Sequence, residues 1–211
     1  MRKKSETLEI MKIFQQENPE PKCELNYCNA YTLLVAVVLS AQTTDKGVNK
    51  ATAELFKIAD TPQKMLDLGE EKLISYIRTI GLFNNKAKNI ISLSRDLVEK
   101  HHGEVPEERE KLEGLAGVGR KTANVVLNVW FKKPTLAVDT HVMRISHRLD
   151  FSQGKTPLAV EADLLKVLPD EYIINANHWL VLFGRYICKA QSPACHKCPI
   201  ASYCHCSDKK I

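Results

Sequence analysis

Apolar residues recur at three- and four-residue steps along almost the whole chain, as at Leu73, Ile77 and Ile80. This step matches the turn of an α-helix and places such residues on one face of it. No convincing stretch alternates apolar and polar residues, as a half-buried β-strand would. The pattern therefore predicts an all-α protein built from about ten short helices.

Local signals mark where these helices begin and end. Thr61-Pro62 and Thr156-Pro157 each combine a capping residue with a proline at the first helical position, where no N–H is needed. Gly81 and Gly103 each follow a periodic run and predict the end of a helix.

The longest apolar run covers residues 31–39 and has about half the length that a membrane-spanning helix needs. It predicts a buried core segment. A buried β-strand is the alternative interpretation, but the length of the run up to Gln42 and the helical pattern on both sides favour a central helix. At the N-terminus, Glu6, Glu9 and Lys12 interrupt the apolar pattern that a signal peptide requires. We therefore expect a cytosolic protein without membrane association.

The charge balance of the chain is mildly basic. Its 211 residues include 30 Lys and Arg against 25 Asp and Glu, a formal net charge of +5. This excess suits a polyanionic partner, because cationic side chains displace counterions from phosphates. A mixed solvated surface explains the same value equally well.

Four of the seven cysteines are crowded near the C-terminus with the spacing C-x6-C-x2-C-x5-C. In a reducing compartment such a group indicates metal ligands rather than disulfides. Structural zinc more often uses two widely separated close pairs, whereas one compact loop of thiolates can hold a [4Fe–4S] cluster. The spacing favours iron–sulfur and leaves zinc open. The four candidate ligands are Cys188, Cys195, Cys198 and Cys204.

The loop that these ligands would close also carries Lys189, His196 and Lys197, a candidate basic patch for DNA phosphate. In that case the cluster has a structural role. Cys23, Cys28 and Cys206 lie outside the pattern, and no chemistry is assigned to them.

The segment 112–127, LEGLAGVGRKTANVVL, places Gly117 and Gly119 between two helical stretches. Glycine adopts backbone angles that other residues resist, so the pair predicts a tight hairpin. Its amides and the start of the next helix can bind a phosphate without reading a base. An ordinary connection between two helices is the alternative interpretation.

Lys121 lies in the first turn of the helix that follows the hairpin, beside Arg120. A helix N-terminus disfavours cations, and the neutral amine is the nucleophilic form of lysine. A solvated surface lysine is the alternative. Asp139, in LAVDTHVMR, stands where a helix begins and has two interpretations of equal weight. It is either an N-cap or a carboxylate that stabilises positive charge on an opening sugar or assists proton transfer.

Taken together, five motifs resemble the endonuclease III family in order and spacing, and the likeness covers nearly the whole chain. They are LSAQTTD at 39–45, IGLFNNKA at 80–87, LAGVGRKTANVVL at 115–127, AVDTHVMR at 137–144 and the four-cysteine tail. The resemblance implies a helix–hairpin–helix DNA glycosylase fold with two helical domains and a DNA-binding cleft between them. The expected domains are a helical barrel at 23–133 and a cluster domain formed by 1–22 with 134–211.

The resemblance also implies a function, a DNA glycosylase and abasic-site lyase that removes oxidised pyrimidines. Lys121 resembles the nucleophile that forms a Schiff base, and Asp139 the carboxylate that assists departure of the base. Gln42 and Leu82 resemble residues that fill the gap left by the flipped base, although an apolar residue after a glycine also commonly closes a helix end. The residues expected to bind DNA through the hairpin are Leu115, Gly117, Val118, Gly119 and Arg120.

The implied partner is double-stranded DNA with damaged bases or abasic sites, bound by a monomer in the bacterial cytosol. One departure is Ala116, where the family commonly has proline before the hairpin glycine, and we expect a less rigid hairpin. Two rivals remain at this point. One is a monofunctional glycosylase that uses only Asp139, against which Lys121 argues, and the other is a non-catalytic DNA-binding protein with structural zinc.

Overall fold

The structure, a computed structural model, describes residues 2–207 and 209. These residues form eleven α-helices and three short 3-10 helices, with no β-strand among them, so the predicted all-α class is confirmed. None of the described helices combines the length and the apolar content needed to cross a membrane. In chain order the α-helices are α1 Lys4–Glu17, α2 Ala30–Leu39, α3 Asp45–Ile58, α4 Pro62–Leu68, α5 Glu70–Ile77, α6 Phe83–His101, α7 Arg109–Glu113, α8 Arg120–Val129, α9 Thr140–Arg148, α10 Pro157–Val167 and α11 Ile173–Tyr186.

The chain divides into two compact units. One comprises Cys23–Lys132 and contains α2 to α8. The other contains α1 and α9 to α11, from the described residues on either side of that segment. The division falls between Lys132 and Lys133, one residue before the boundary that the resemblance implies.

Helix α2 lies at the centre of the Cys23–Lys132 unit. Every residue from Tyr31 to Leu39 is buried, so the apolar run is the predicted core helix and the β-strand interpretation is wrong. Its N-terminus is closed by a reciprocal cap between Asn29 and Thr32. The Tyr31 hydroxyl shares a 2.6 Å hydrogen bond with the Ser94 hydroxyl, which satisfies both polar groups inside the core.

The predicted helix starts at Thr61 and Thr156 are confirmed, since each threonine caps its helix ahead of a proline. Gly103 follows α6, and its N–H donates to the Leu97 carbonyl at 2.9 Å. The expectation for Gly81 is wrong. Helix α5 already ends at Ile77, because the chain turns there to bury Ile80, and Gly81 lies in the connection to α6.

The second unit has its own core, in which α1 packs with the C-terminal helices. Phe14 of α1 makes ring contacts with Trp179 and Phe183 of α11. Trp179 Nε1 also donates to the Asn18 carbonyl at 2.8 Å. Buried Arg2 donates to the Leu149 carbonyl, so the N-terminal segment is bound to the C-terminal part of the chain by packing and by hydrogen bonds.

Candidate active site and metal centre

The hairpin between α7 and α8 is fixed by two buried apolar side chains. Leu115 and Val118 lie in the core, and the Val118 N–H donates to the Leu115 carbonyl at 3.1 Å. Their side chains therefore anchor the loop and are not exposed for contact with DNA. Gly117 adopts φ +76°, and a Cβ atom there would stand 2.8 Å from Asn89 Nδ2. Only glycine fits this position without strain.

Gly119 does not adopt the unusual backbone angles that the sequence predicts for both hairpin glycines. Its φ is −96°, an angle open to any residue, and a Cβ atom would meet nothing within 4 Å. Gly119 is instead the N-cap of α8, and it offers no side-chain acceptor to the first amides of the helix. Within the described residues, the N–H groups of Gly117 and Gly119 make no hydrogen bond. The hairpin thus presents unbonded amides at a helix N-terminus, as an anion site requires.

Lys121 is exposed as the second residue of α8, in the predicted first turn. No described carboxylate forms an ion pair with it. Its neighbour Arg120 is exposed as well. The amine is therefore accessible to a substrate and is not engaged in an ion pair with a described carboxylate.

Asp139 is the N-cap of α9. Its Oδ1 atom accepts from the His141 N–H at 2.9 Å and the Val142 N–H at 2.8 Å. Asp139 therefore caps the helix, as the first of its two interpretations predicts. Both hydrogen bonds use Oδ1, and Oδ2 takes part in neither, so the cap leaves one carboxylate oxygen for chemistry.

Gln42 and Leu82 share an uncommon backbone conformation. Both are left-handed, with φ +55° and φ +61°, and both are exposed. A non-glycine residue pays of order 1 kcal/mol or more for this conformation, and such strain concentrates at functional sites. The loops adjoin, since a Cβ atom on Gly81 would lie 4.0 Å from the Gln42 carbonyl oxygen. Leu82 is the N-cap of α6 and is 58% exposed, so its side chain does not pack back to close the end of α5, which lies at Ile77.

The four C-terminal cysteines line one cavity. Cys188 follows α11, Cys195 begins a 3-10 helix, and Cys198 and Cys204 each follow a 3-10 turn. Apolar side chains, including Phe183, Leu149 and Ile200, form most of the remaining lining, which Arg148 and Lys209 complete. Burial raises the pKa of the Cys188 thiol and raises that of Cys198 to about 11, so neither forms a thiolate readily without a bound cation.

This arrangement fits a cluster better than a single ion. A structural zinc brings its thiolates to about 2.3 Å from one point. Among residues 2–207 and 209, no three His, Cys, Asp or Glu side chains converge closely enough for one metal ion. Four sulfur atoms spread around an apolar cavity are instead the donor set of a polynuclear iron–sulfur centre.

Sequence reasoning missed the arginines that hold this loop. Arg144 Nη2 donates to the Gly184 carbonyl at 2.8 Å, and Arg148 Nη1 donates to the Lys189 carbonyl at 2.7 Å. Both reach the Cys188 carbonyl at 3.3 Å. Their four-residue spacing puts them on one face of α9, which was a usable indication that they share a target.

Comparisons with known proteins give two matching family models. Residues 35–170 match the family model of the HhH-GPD superfamily base excision DNA repair proteins. Residues 188–204 match the iron–sulfur binding domain of endonuclease III, a segment that begins and ends at two of the cavity cysteines. The fold and hairpin thus define a helix–hairpin–helix DNA repair protein with an iron–sulfur domain.

Individual relatives identify the family within this class. Endonuclease III of Haemophilus influenzae is 56% identical, and that of Escherichia coli K12 is 52% identical, each over 98% of both chains. The solved structure of a trapped endonuclease III–DNA covalent intermediate is 46% identical, with a TM-score of 0.91 over 97% of both chains. This chain belongs to the endonuclease III family. A thermostable thymine-DNA glycosylase at 22% identity and a TM-score of 0.82 shares the fold.

Proposed function

We propose that this protein is a bifunctional base excision repair enzyme, a DNA glycosylase and abasic-site lyase that removes oxidised pyrimidines from double-stranded DNA. The observation that carries the proposal is the accessible amine of Lys121, which follows the hairpin in the first turn of α8. The relative solved as a covalent intermediate with DNA supports a mechanism with a covalent step. The monofunctional rival assigns no task to this lysine.

Binding and base extrusion come first. The unbonded amides of Gly117 and Gly119 hold a phosphate at the N-terminus of α8, with Arg120 adding positive charge. Buried Leu115 and Val118 keep the hairpin in shape. The damaged nucleotide leaves the stack, and exposed Gln42 and Leu82 occupy the space it vacates.

The chemistry begins at the accessible amine of Lys121. Its Nζ attacks C1′ of the extruded nucleotide, the bond between C1′ and the base breaks, and the base departs with the bonding electron pair and takes up a proton. One amine proton goes to the departing base, and the second goes to O4′ as the C1′–O4′ bond breaks and the sugar ring opens, which leaves an imine between Nζ and C1′. Asp139 assists departure of the base through the oxygen that is not engaged in the cap. The imine acidifies C2′–H, and loss of that proton expels the 3′ phosphate by β-elimination.

The four cavity cysteines are the proposed ligands of the [4Fe–4S] cluster. Their four thiolates would hold the cluster, and bonds to one shared centre would fix the loop between them. That loop presents exposed Lys189, His196 and Lys197, which suit contact with DNA phosphate. The role of the centre is therefore structural.

The proposal extends to organisation and location. We assign Cys23–Lys132 as the helical barrel domain and the other unit as the cluster domain, with DNA bound by both. The protein acts as a monomer. The curated relatives are bacterial, which supports a bacterial cytosolic location.

Borohydride trapping on abasic and oxidised-pyrimidine duplexes tests the proposal. The reductant converts the imine to a stable amine, so wild-type protein is expected to give a covalent protein–DNA adduct whose mass spectrum maps to Lys121. Lys121→Gln is expected to give none, whereas Lys88→Gln, at an exposed lysine in the same unit, retains it. An adduct that persists in Lys121→Gln would remove this lysine from the mechanism. Base release by the wild type without an adduct would favour the monofunctional rival, and zinc in place of iron would favour the non-catalytic one.

A further inference from the structure

Lys86 is a buried lysine that the mechanism does not use. It lies in the first turn of α6 and is 5% exposed. Its Nζ atom donates to the Ala41 carbonyl at 2.6 Å, the Leu39 carbonyl at 2.9 Å and the Thr43 hydroxyl at 3.2 Å. An ammonium group has three N–H donors, so these three acceptors saturate it.

This position is unfavourable for a cation. Burial lowers the pKa of Lys86, and the N-terminal end of a helix also disfavours positive charge. No carboxylate within the described residues forms an ion pair with it. An apolar side chain of the same length would fill this part of the core without the desolvation cost. The reason for a lysine at this position therefore lies in the three groups that its ammonium binds.

The three acceptors belong to the last residue of α2 and to the loop after it that carries Gln42. Leu39 is the last residue of α2, and its carbonyl has no helical partner, so Lys86 completes the end of that helix. Ala41 and Thr43 flank Gln42 directly, and the Thr43 N–H closes the turn on the Ser40 carbonyl at 3.1 Å. The Lys86 ammonium thus binds the turn on both sides of Gln42.

The main chain of Lys86 reaches the second loop. Its N–H donates to the carbonyl of Leu82, which is exposed and left-handed as Gln42 is, at 3.0 Å. One residue therefore binds both loops, through the side chain in one case and the backbone in the other. We propose that Lys86 is a positioning residue that holds Gln42 and Leu82 in fixed relation, so that both enter the duplex together when a base is extruded.

This inference rests on the proposed function, which assigns Gln42 and Leu82 to the vacated space. Rigid placement matters because a displacement of about 1 Å can cost about a hundredfold in rate. The effect of Lys86 is expected where a base must be extruded from a paired duplex. It is smaller at an abasic site, which has no damaged base to unpair.

The test uses Lys86→Met, which keeps an unbranched chain and removes all three donors, with Lys88→Met at an exposed site two residues further along α6 as its control. In single-turnover assays, Lys86→Met is expected to slow excision of a paired oxidised pyrimidine about tenfold or more, with a smaller loss on abasic DNA. A fluorescent base analogue beside the lesion is expected to report reduced extrusion. Circular dichroism and thermal unfolding establish that the variant is folded.

A double-mutant cycle separates positioning from general structural damage. In a background with Gln42→Ala and Leu82→Ala, adding Lys86→Met is expected to change the excision rate by less than about twofold, because the side chains it positions are gone. The full loss in that background would overturn the proposal, as would equal losses on paired and abasic substrates. If Lys86→Met does not fold, Thr43→Val removes one acceptor and is expected to produce a weaker selective loss, and an unchanged rate on paired lesions would overturn the inference.

The two proposals fail in different ways. Wild-type protein that forms no trapped adduct would overturn the proposed function and this inference together. Wild-type and Lys88→Met proteins that trap and excise normally, alongside a Lys86→Met variant with the same rates, would overturn only the role of Lys86.

Discussion

The guanidinium group of Arg148 donates a hydrogen bond from Nη1 to Cys188 Sγ at 3.3 Å. The same group bonds the carbonyls of Cys188 and Lys189, so one side chain of α9 fixes both the sulfur and the backbone of the first candidate ligand. A hydrogen bond to a ligand sulfur orients it and stabilises its thiolate form. Arg148 counteracts the effect of burial, which raises the pKa of the Cys188 thiol.

Arg148→Met is therefore expected to weaken retention of the cluster. The substitution removes the donor to Cys188 Sγ and the bonds that hold the surrounding loop, while a chain of similar length still packs against the cavity. Iron per protein chain and visible absorbance, followed over time with a chelator present, are expected to fall faster than in the wild type. Lys189→Met, at an exposed neighbour, should match the wild type. Equal retention in all three proteins would show that Arg148 is dispensable for holding the cluster.

Asp139 allows its two roles to be measured separately. Asn caps a helix about as well as Asp, so Asp139→Asn is expected to leave the free energy of unfolding within a few tenths of a kcal/mol, whereas Asp139→Ala loses about 1 kcal/mol. Both variants lack the carboxylate, and both are expected to lose about 10²–10⁴-fold in base excision. Denaturant unfolding and single-turnover rates check the two effects.

Binding to a lesion duplex provides the control for this pair, since affinity should change little in Asp139→Asn. Near-normal excision by Asp139→Asn, together with slow excision by Asp139→Ala, would show that the cap alone matters. Loss of DNA binding in both variants would also count against a chemical role.

Much of the fold is encoded in local sequence. The apolar period predicts the helices, and the threonine and proline pairs at residues 61–62 and 156–157 mark where α4 and α10 begin. The run at 31–39 is a core helix, as its length up to Gln42 and the helical pattern on both sides of it indicated. These features depend on residues within a few positions of each other, which the sequence displays directly.

The features that the sequence did not reveal depend on distant contacts. In the sequence, Lys86 is an ordinary lysine within a helical pattern. Its burial depends on contact with residues 39–43, which lie more than 40 positions earlier in the chain. Gly119 was expected to need unusual backbone angles because it resembles Gly117, yet only Gly117 packs against Asn89. Arg148 acts on Cys188, 40 residues further along the chain. Side-chain spacing within one segment shows which residues share a face of a helix, but it does not identify their distant partners.

Leu82 has a matched control on the other unit. Leu158 is 57% exposed on α10, against 58% for Leu82, so the two leucines differ little in how much apolar surface an alanine substitution removes. Leu82→Ala is expected to reduce excision of paired lesions about tenfold, with less effect at bare abasic sites, because filling the vacated stack offsets an unpairing cost of a few kcal/mol. Leu158→Ala should not change either rate. Equal losses on the two substrates in Leu82→Ala would argue against a role in base extrusion.

The two hairpin glycines provide the last comparison. Gly117→Ala forces a left-handed alanine, which costs about 1–2 kcal/mol, and brings its Cβ atom against the Asn89 side chain. Gly119→Ala meets no neighbouring atom and is expected to cost roughly 0.5–1 kcal/mol, because alanine is a poorer N-cap than glycine. Denaturant unfolding measures both losses, and adding Asn89→Ala should recover part of the loss in Gly117→Ala only. Because the hairpin amides are the proposed phosphate site, Gly117→Ala should also weaken binding to undamaged duplex more than Gly119→Ala does. The reverse order in stability would mean that the backbone of the hairpin differs from the one described.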